Sequence, residues 1–319
     1  MKIVVIMNAL KKYHKDMIDE AAKKAGAEVF YFDKESDVPK EHMDADIVYG
    51  QGINMAKTCE NLKWLCASFA GVDNLVKPDS FKNPECILTN SAGAYGVSIA
   101  EHIIALSLMM MRRITEFHAE TLNGQWLLPR AQRSLKDSRI TVLGTGDIGT
   151  TFVHRVKGFE PKSIIGVSRS GVKKDPLYDE VYKVEDLDKV LPNTDLLVMS
   201  LPSTPETIGI LSRERIALLP ETAYVVNVGR GTAIDEEALA DALDHGMIAG
   251  AALDVFSTEP LPKDNRLWHT KNLLITPHVA GNLTLEHTVT RNVEMFVEDL
   301  DNYVNKRPMA HLVNKKIGY

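Results

Sequence analysis

The run Gly144-Thr145-Gly146-Asp147-Ile148-Gly149 matches G-x-G-x-x-G. It follows an apolar run, Ile140–Leu143, and opens a helical pattern over Ile148–Lys157. In that context such glycines bind a dinucleotide. Gly144 permits a tight turn, Gly146 lets the backbone approach a pyrophosphate, and Gly149 allows close helix–strand packing. The helix N-terminus then offers the anion free N–H groups and a partial positive charge. Thr150 stands where a Walker A loop needs Lys, which excludes that loop. About twenty residues on, an NAD site places an acid against the ribose 2′-hydroxyl. This chain reads Ser168-Arg169-Ser170 there. Two hydroxyls and a planar cation suit a 2′-phosphate. The turn predicts NADP in preference to NAD, with NAD still possible.

Three further segments each end a predicted strand: Asn227-Val228-Gly229-Arg230-Gly231, Asp254–Pro260, and Thr276-Pro277-His278-Val279-Ala280-Gly281. Ligands of open parallel sheets bind at the carboxyl ends of strands. Arg230, Glu259 and His278 are thereby drawn toward one crevice. The ten histidines include no H-E-x-x-H and no Cys/His cluster at ligand spacing, so no metal is expected.

The elements that must position these residues read as α/β. Ile3–Met7, Glu28–Phe32, Ile47–Tyr49, Trp64–Cys66 and Ile87–Thr89 are short apolar strands, with a helix at Asp16–Gly26 between the first two. Alternation of this kind implies a parallel sheet covered on both faces. A long helix is predicted over Ser98–Arg113, then an irregular arm over Asn123–Ser134. A second series follows, with strands at Ile140–Leu143, Ile164–Ser168, Leu196–Ser200, Ala223–Val228, Gly250–Val255 and Leu273–Thr276. Helices fit between them at Ile148–Lys157, Val184–Val190, Arg213–Leu218 and Glu236–Asp244, completing a six-strand doubly wound unit. Leu283–Tyr303 is a last helix.

The 319 residues suit two domains at roughly 100–200 residues each. A net charge of −6 is a poor match for general nucleic-acid binding. Three separate cysteines without a C-x-x-C pair suit a reducing cytoplasm. The apolar run at the N-terminus is too short for a signal peptide. No apolar run approaches the ~18 residues of a membrane span.

With those segments in hand, the chain resembles the D-isomer-specific 2-hydroxyacid dehydrogenase family. The resemblance runs through Ser68-Phe69-Ala70-Gly71-Val72-Asp73, Asn90–Glu101, the glycine turn, Leu201-Pro202-Ser203-Thr204-Pro205-Glu206-Thr207 and the three strand-end segments. The Ser-Arg-Ser turn and the short Glu259-to-His278 spacing look most like its NADPH-dependent glyoxylate/hydroxypyruvate reductase branch. The resemblance implies a Rossmann cofactor domain, residues 97–285, inserted in a flavodoxin-like substrate domain, residues 1–96 and 286–319. Both would be doubly wound parallel sheets. It implies that Arg230 and the N–H groups of Ala70 and Gly71 bind a 2-keto acid. His278 would act as general acid, and Glu259 would hold its other ring nitrogen. Asp147 and Ile148 would lie at the pyrophosphate, with Leu201, Pro202, Ser203 and Thr207 along the nucleotide. Val228 would approach the nicotinamide ribose and Asp254 its carboxamide, with Ala280 and Gly281 at the nicotinamide end. Glu259 argues against formate, because formate dehydrogenases of the superfamily carry Gln there. A homodimer built on the Ser98 helix and the Trp126 arm is the implied assembly. The alternatives are an NAD-dependent phosphoglycerate or lactate dehydrogenase and a non-catalytic dinucleotide sensor.

Overall fold

Short apolar runs, buried on both faces in the central strands, form two parallel sheets, as expected where helices cover each side. The computed structural model describes residues 1–126, 128–316 and 318. The chain divides into two compact units, Met1–Tyr95 with Asn282–Tyr319, and Gly96–Gly281.

The first unit begins with β1 (Lys2–Ile6), α1 (Lys12–Lys24), β2 (Glu28–Phe32), β3 (Ile47–Gly50), α2 (Ile53–Thr58), β4 (Trp64–Ala67) and β5 (Ile87–Thr89). Its sheet order is β2-β1-β3-β4-β5, all parallel, the flavodoxin-like order. The chain reverses direction across the sheet between β1 and β3. There Gly50 has φ +115°, and a Cβ on it would stand 2.1 Å from the Ile6 carbonyl oxygen.

The second unit opens with α3 (Gly96–Met111) and α4 (Ile114–Leu122). The helix expected over Ser98–Arg113 is α3, and the second helix, α4, was not expected. Arg113 adopts φ +57°, with its guanidinium on Glu116. Then follow β6 (Arg139–Leu143), α5 (Asp147–Val156), β7 (Ser163–Ser168), β8 (Glu180–Lys183), α6 (Leu187–Val190), β9 (Leu196–Met199), α7 (Arg213–Ile216), β10 (Tyr224–Asn227), α8 (Glu236–Asp244), β11 (Gly250–Leu253) and β12 (Leu273–Ile275). Their order is β12-β11-β10-β9-β6-β7-β8. The sheet has seven strands where six were expected. The addition, β8, is a four-residue edge strand with charged ends, Glu-Val-Tyr-Lys. Short charged strands of this kind protect a sheet edge.

The chain returns to the first unit as α9 (Glu286–Val304). Its buried face carries Val289, Val293, Phe296 and Leu300 at helical spacing. Phe296 stacks on Tyr49 with ring centroids 4.2 Å apart. No helix among the described residues is long and apolar enough to cross a membrane.

Candidate active site

The second sheet reverses direction between β6 and β9, and the glycine turn leaves β6 at that point. Gly144 has φ +105°, a conformation that favours glycine, and Ser200 Oγ, at the end of β9, donates to its carbonyl at 3.0 Å. Gly146 is the N-cap of α5, with no side-chain cap and nothing within 4 Å of a Cβ placed on it. The N-terminus of α5 thus carries no side-chain cap from its N-cap residue and has room beside Gly146, which fits a pyrophosphate. A Cβ on Gly149 would lie 2.1 Å from the Gly144 carbonyl oxygen and 2.9 Å from Val142 Cγ1. Gly149→Ala is thus expected to push the turn off the helix. Dinucleotide affinity should fall at least tenfold and the melting temperature should drop, read by fluorescence titration and thermal melts; unchanged affinity would sink this account of the turn.

Asp147 opens α5, and its carboxylate sits beside the start of α3: a Cβ on Gly96 would be 2.6 Å from Oδ2. Ile148 is half-buried beside it. At the end of β7, Ser168 accepts the Gly171 N–H at 3.2 Å and Ser170 accepts the Val172 N–H at 3.3 Å. Each hydroxyl keeps its proton to donate. Arg169 between them is exposed. Glu206 carries a carboxyl held below the usual range, first by a hydrogen bond from Thr204 and further by the charge of Arg169.

After β9, Leu201 is buried while Pro202 and Ser203 are half-buried. Thr207 Oγ1 donates to the Pro202 carbonyl at 2.7 Å and accepts the Thr204 N–H at 2.8 Å, which fixes that turn. The turn after β10 packs tightly against it, since a Cβ on Gly229 would be 2.6 Å from Leu201 N. Val228 is buried there. Asn227, completely buried, donates to the Arg230 carbonyl at 2.9 Å and accepts the Gly229 N–H at 3.0 Å. It fixes the backbone that carries Arg230, a task no sequence pattern signalled.

Asn227, Leu253 and Ile275 end β10, β11 and β12 in register. Arg230, Glu259 and His278 therefore leave three adjacent strands at one level, with roughly 10 Å of sheet between the first and the last. His278 Nδ1 meets Glu259 Oε2 at 2.6 Å, and Glu259 Oε1 accepts the Phe256 N–H at 2.9 Å. Both side chains are partly open to solvent. His278 has φ +53°. A left-handed non-glycine residue costs energy and tends to mark functional sites.

Asp254 explains how that conformation is held. It is 1% exposed. Its Oδ1 accepts from Thr276 Oγ1 at 2.6 Å and from Val279 N–H at 2.9 Å, and its Oδ2 accepts the Ala280 N–H at 3.0 Å. Expected at a nicotinamide carboxamide, Asp254 has both oxygens engaged by the turn that carries His278. On α3, His102 closes the cluster, with Nε2 3.2 Å from Thr276 Oγ1 and 3.7 Å from Asp254 Oδ1. Burial, partly offset by Asp254, holds its imidazole below the usual range and keeps it neutral at pH 7. Ala280 is buried and Gly281 half-buried. In the first unit, Ala70 and Gly71 follow β4, and the carbonyls of Phe69 and Ala70 are tied to the segment after β5. Among the described residues no group of three or more His, Cys, Asp or Glu side chains is placed to hold a metal.

A doubly wound sheet with a glycine turn at its switch point, and an Arg, a Glu and a His at adjacent strand ends, is the framework of a nicotinamide-dependent oxidoreductase. Residues 104–280 match the family model for the D-isomer specific 2-hydroxyacid dehydrogenase, NAD binding domain. The chain belongs to the D-isomer specific 2-hydroxyacid dehydrogenase family, whose members are NAD(P)-dependent enzymes acting on small 2-hydroxy and 2-keto acids. It is 31% identical over 262 residues to a glyoxylate reductase of Thermofilum pendens, covering 81% of this chain and 76% of that one. A family member from Aeromonas salmonicida superposes with a TM-score of 0.87 at 29% identity, over 98% of this chain and 99% of its own. Another, from Xanthobacter autotrophicus in complex with NADPH and MES, has a TM-score of 0.79 at 29% identity, over 100% and 99%.

Proposed function

We propose that the protein reduces a glyoxylate- or hydroxypyruvate-like 2-keto acid to the D-2-hydroxy acid, with NADPH preferred over NADH. The observation that carries the reaction is the 2.6 Å pair between His278 Nδ1 and Glu259. It leaves Nε2, which has no partner among the described residues, to meet the substrate. The bound reduced nicotinamide supplies the hydride. Arg230 holds the substrate carboxylate with charge-assisted hydrogen bonds, and the same carboxylate takes the N–H groups of Ala70 and Gly71. As the keto oxygen gains negative charge, His278 Nε2 gives it a proton. Glu259 holds Nδ1 and so fixes the orientation of the ring for that transfer. In oxidation, neutral His278 takes the hydroxyl proton.

The cofactor preference rests on Ser168, Arg169 and Ser170. Asp147, Ile148, Leu201, Pro202, Ser203, Thr207, Val228, Ala280 and Gly281 complete the cofactor-facing set, within residues 97–285 as the cofactor domain. Residues 1–96 and 286–319 act as the substrate domain. A cytoplasmic homodimer fits the exposed apolar arm, with Trp126 97% exposed, and the three free, buried cysteines.

A reductase assay offering NADPH and NADH separately against glyoxylate, hydroxypyruvate, pyruvate and a bulkier branched 2-keto acid tests the reading. Turnover well above background with NADPH supports it, and the best substrate reports the pocket's size. Arg169→Asp should shift preference toward NADH. It removes the cation and sets a second carboxylate near Glu206, so NADPH should lose about tenfold to a hundredfold in KM, the scale of a charged hydrogen bond. Unchanged cofactor KM values would show that Arg169 does not read the phosphate.

A further inference from the structure

The turn that follows β4 is held from behind. The Ala67 carbonyl accepts from Ser91 Oγ at 2.9 Å. The Ser68 carbonyl accepts from Asn292 Nδ2, on α9, at 3.0 Å and from the Tyr95 hydroxyl. Tyr49 in turn donates to Asn292 Oδ1 at 2.9 Å. The Phe69 carbonyl accepts the Ser91 N–H at 3.2 Å, and the Ala70 carbonyl accepts Asn90 Nδ2 at 2.6 Å. Four consecutive carbonyls are thus taken. In a trans peptide the N–H points opposite to the C=O of the same unit. Tying back the Phe69 and Ala70 carbonyls therefore aims the N–H groups of Ala70 and Gly71 the other way. Neither N–H makes a hydrogen bond among the described residues.

The structure assigns Asn90 as a positioning residue: we propose that its side chain sets the direction of the Gly71 N–H toward the substrate carboxylate. This rests on the reading of Ala70 and Gly71 as carboxylate donors. Asn90 is 8% exposed. Its Oδ1 accepts the Ala92 N–H at 3.3 Å while Nδ2 holds the Ala70 carbonyl. An amide has one donating and one accepting end, and here each has its partner. Asp, of the same shape, keeps the acceptor for Ala92 and sets an oxygen against the Ala70 carbonyl. The peptide joining Ala70 and Gly71 is then free to rotate, and Gly71 loses its aim.

The test compares Asn90→Asp, Asn90→Ala and Gly71→Pro in the full chain, each checked for folding by thermal melt. Pro deletes the Gly71 N–H outright. Readouts are keto-acid KM, kcat, the NADPH Kd, and inhibition by oxalate as a carboxylate probe. Both Asn90 variants are expected to raise keto-acid KM and oxalate Ki by roughly tenfold to a hundredfold, the scale of one hydrogen bond to a charged group. NADPH Kd and kcat should stay within about threefold. A merely structural role would instead move the melting temperature and the NADPH Kd. If Gly71→Pro raises KM and oxalate Ki while neither Asn90 variant does, the positioning role is overturned and the carboxylate reading stands. If Gly71→Pro leaves both unchanged, that reading falls, and the positioning role with it.

Discussion

His278→Gln is expected to lower kcat by roughly 10²–10⁴, the range for a lost general acid. NADPH Kd should stay within a few fold. Gln fills similar space and can hydrogen-bond Glu259, but it cannot deliver a proton to an oxygen that is becoming an alkoxide. The backbone should tolerate the change, because the left-handed conformation at 278 is held by contacts to Thr276, Val279 and Ala280 and not by the imidazole. Loss of activity with an unchanged melting temperature and intact cofactor binding would place the defect in the chemical step. Wild-type turnover would remove His278 from the proton path and leave the Glu259 pair without a catalytic purpose.

Much of this fold is written in local pattern. The strands at Ile3, Ile47, Ile140 and Leu196 are runs of buried apolar residues that could hardly face water, and the glycine turn has a strand before it and a helix after it. The edge strand β8 was not legible, because Glu180 and Lys183 at its ends are exposed and read as loop. The helix α4 was not legible either, because none of its residues is buried and no apolar face marks it. In the site, Arg230, Glu259 and His278 stood out because each follows its own strand. The side chains that hold the backbone of these segments did not stand out in that role, and Asp254 was expected at the nicotinamide instead. Asn227 acts on backbone atoms two and three residues away, Asp254 on N–H groups twenty-five and twenty-six residues on, and Asn292 on a carbonyl more than two hundred residues back. Side-chain bonds to distant backbone leave no periodicity, so composition and spacing pass over them.

Asp254→Ala should be the second most damaging change, lowering kcat/KM by about 10², the penalty for misplacing a catalytic group by an ångström. The carboxylate serves Thr276 Oγ1, Val279 N–H and Ala280 N–H at once, in a setting almost closed to water. Alanine removes the acceptor that both N–H groups share, and a buried donor left unsatisfied costs about 1–3 kcal/mol. The turn then has no reason to hold His278 at φ +53°, and the ring drifts from the position Glu259 fixes. His102 cannot substitute. Its imidazole is kept neutral by burial, and its Nε2 reaches Thr276, not the N–H groups of 279 and 280. The variant should melt several degrees lower while keeping a measurable NADPH Kd, because the glycine turn lies on β6, at the end of a different strand. Asp254→Asn, which retains one accepting oxygen, should fall between wild type and Ala in both kcat/KM and melting temperature. Equal kcat/KM in all three proteins would refute the role of Asp254 in holding the His278 turn. A complete loss of NADPH binding with normal melting would instead return Asp254 to direct contact with the nicotinamide.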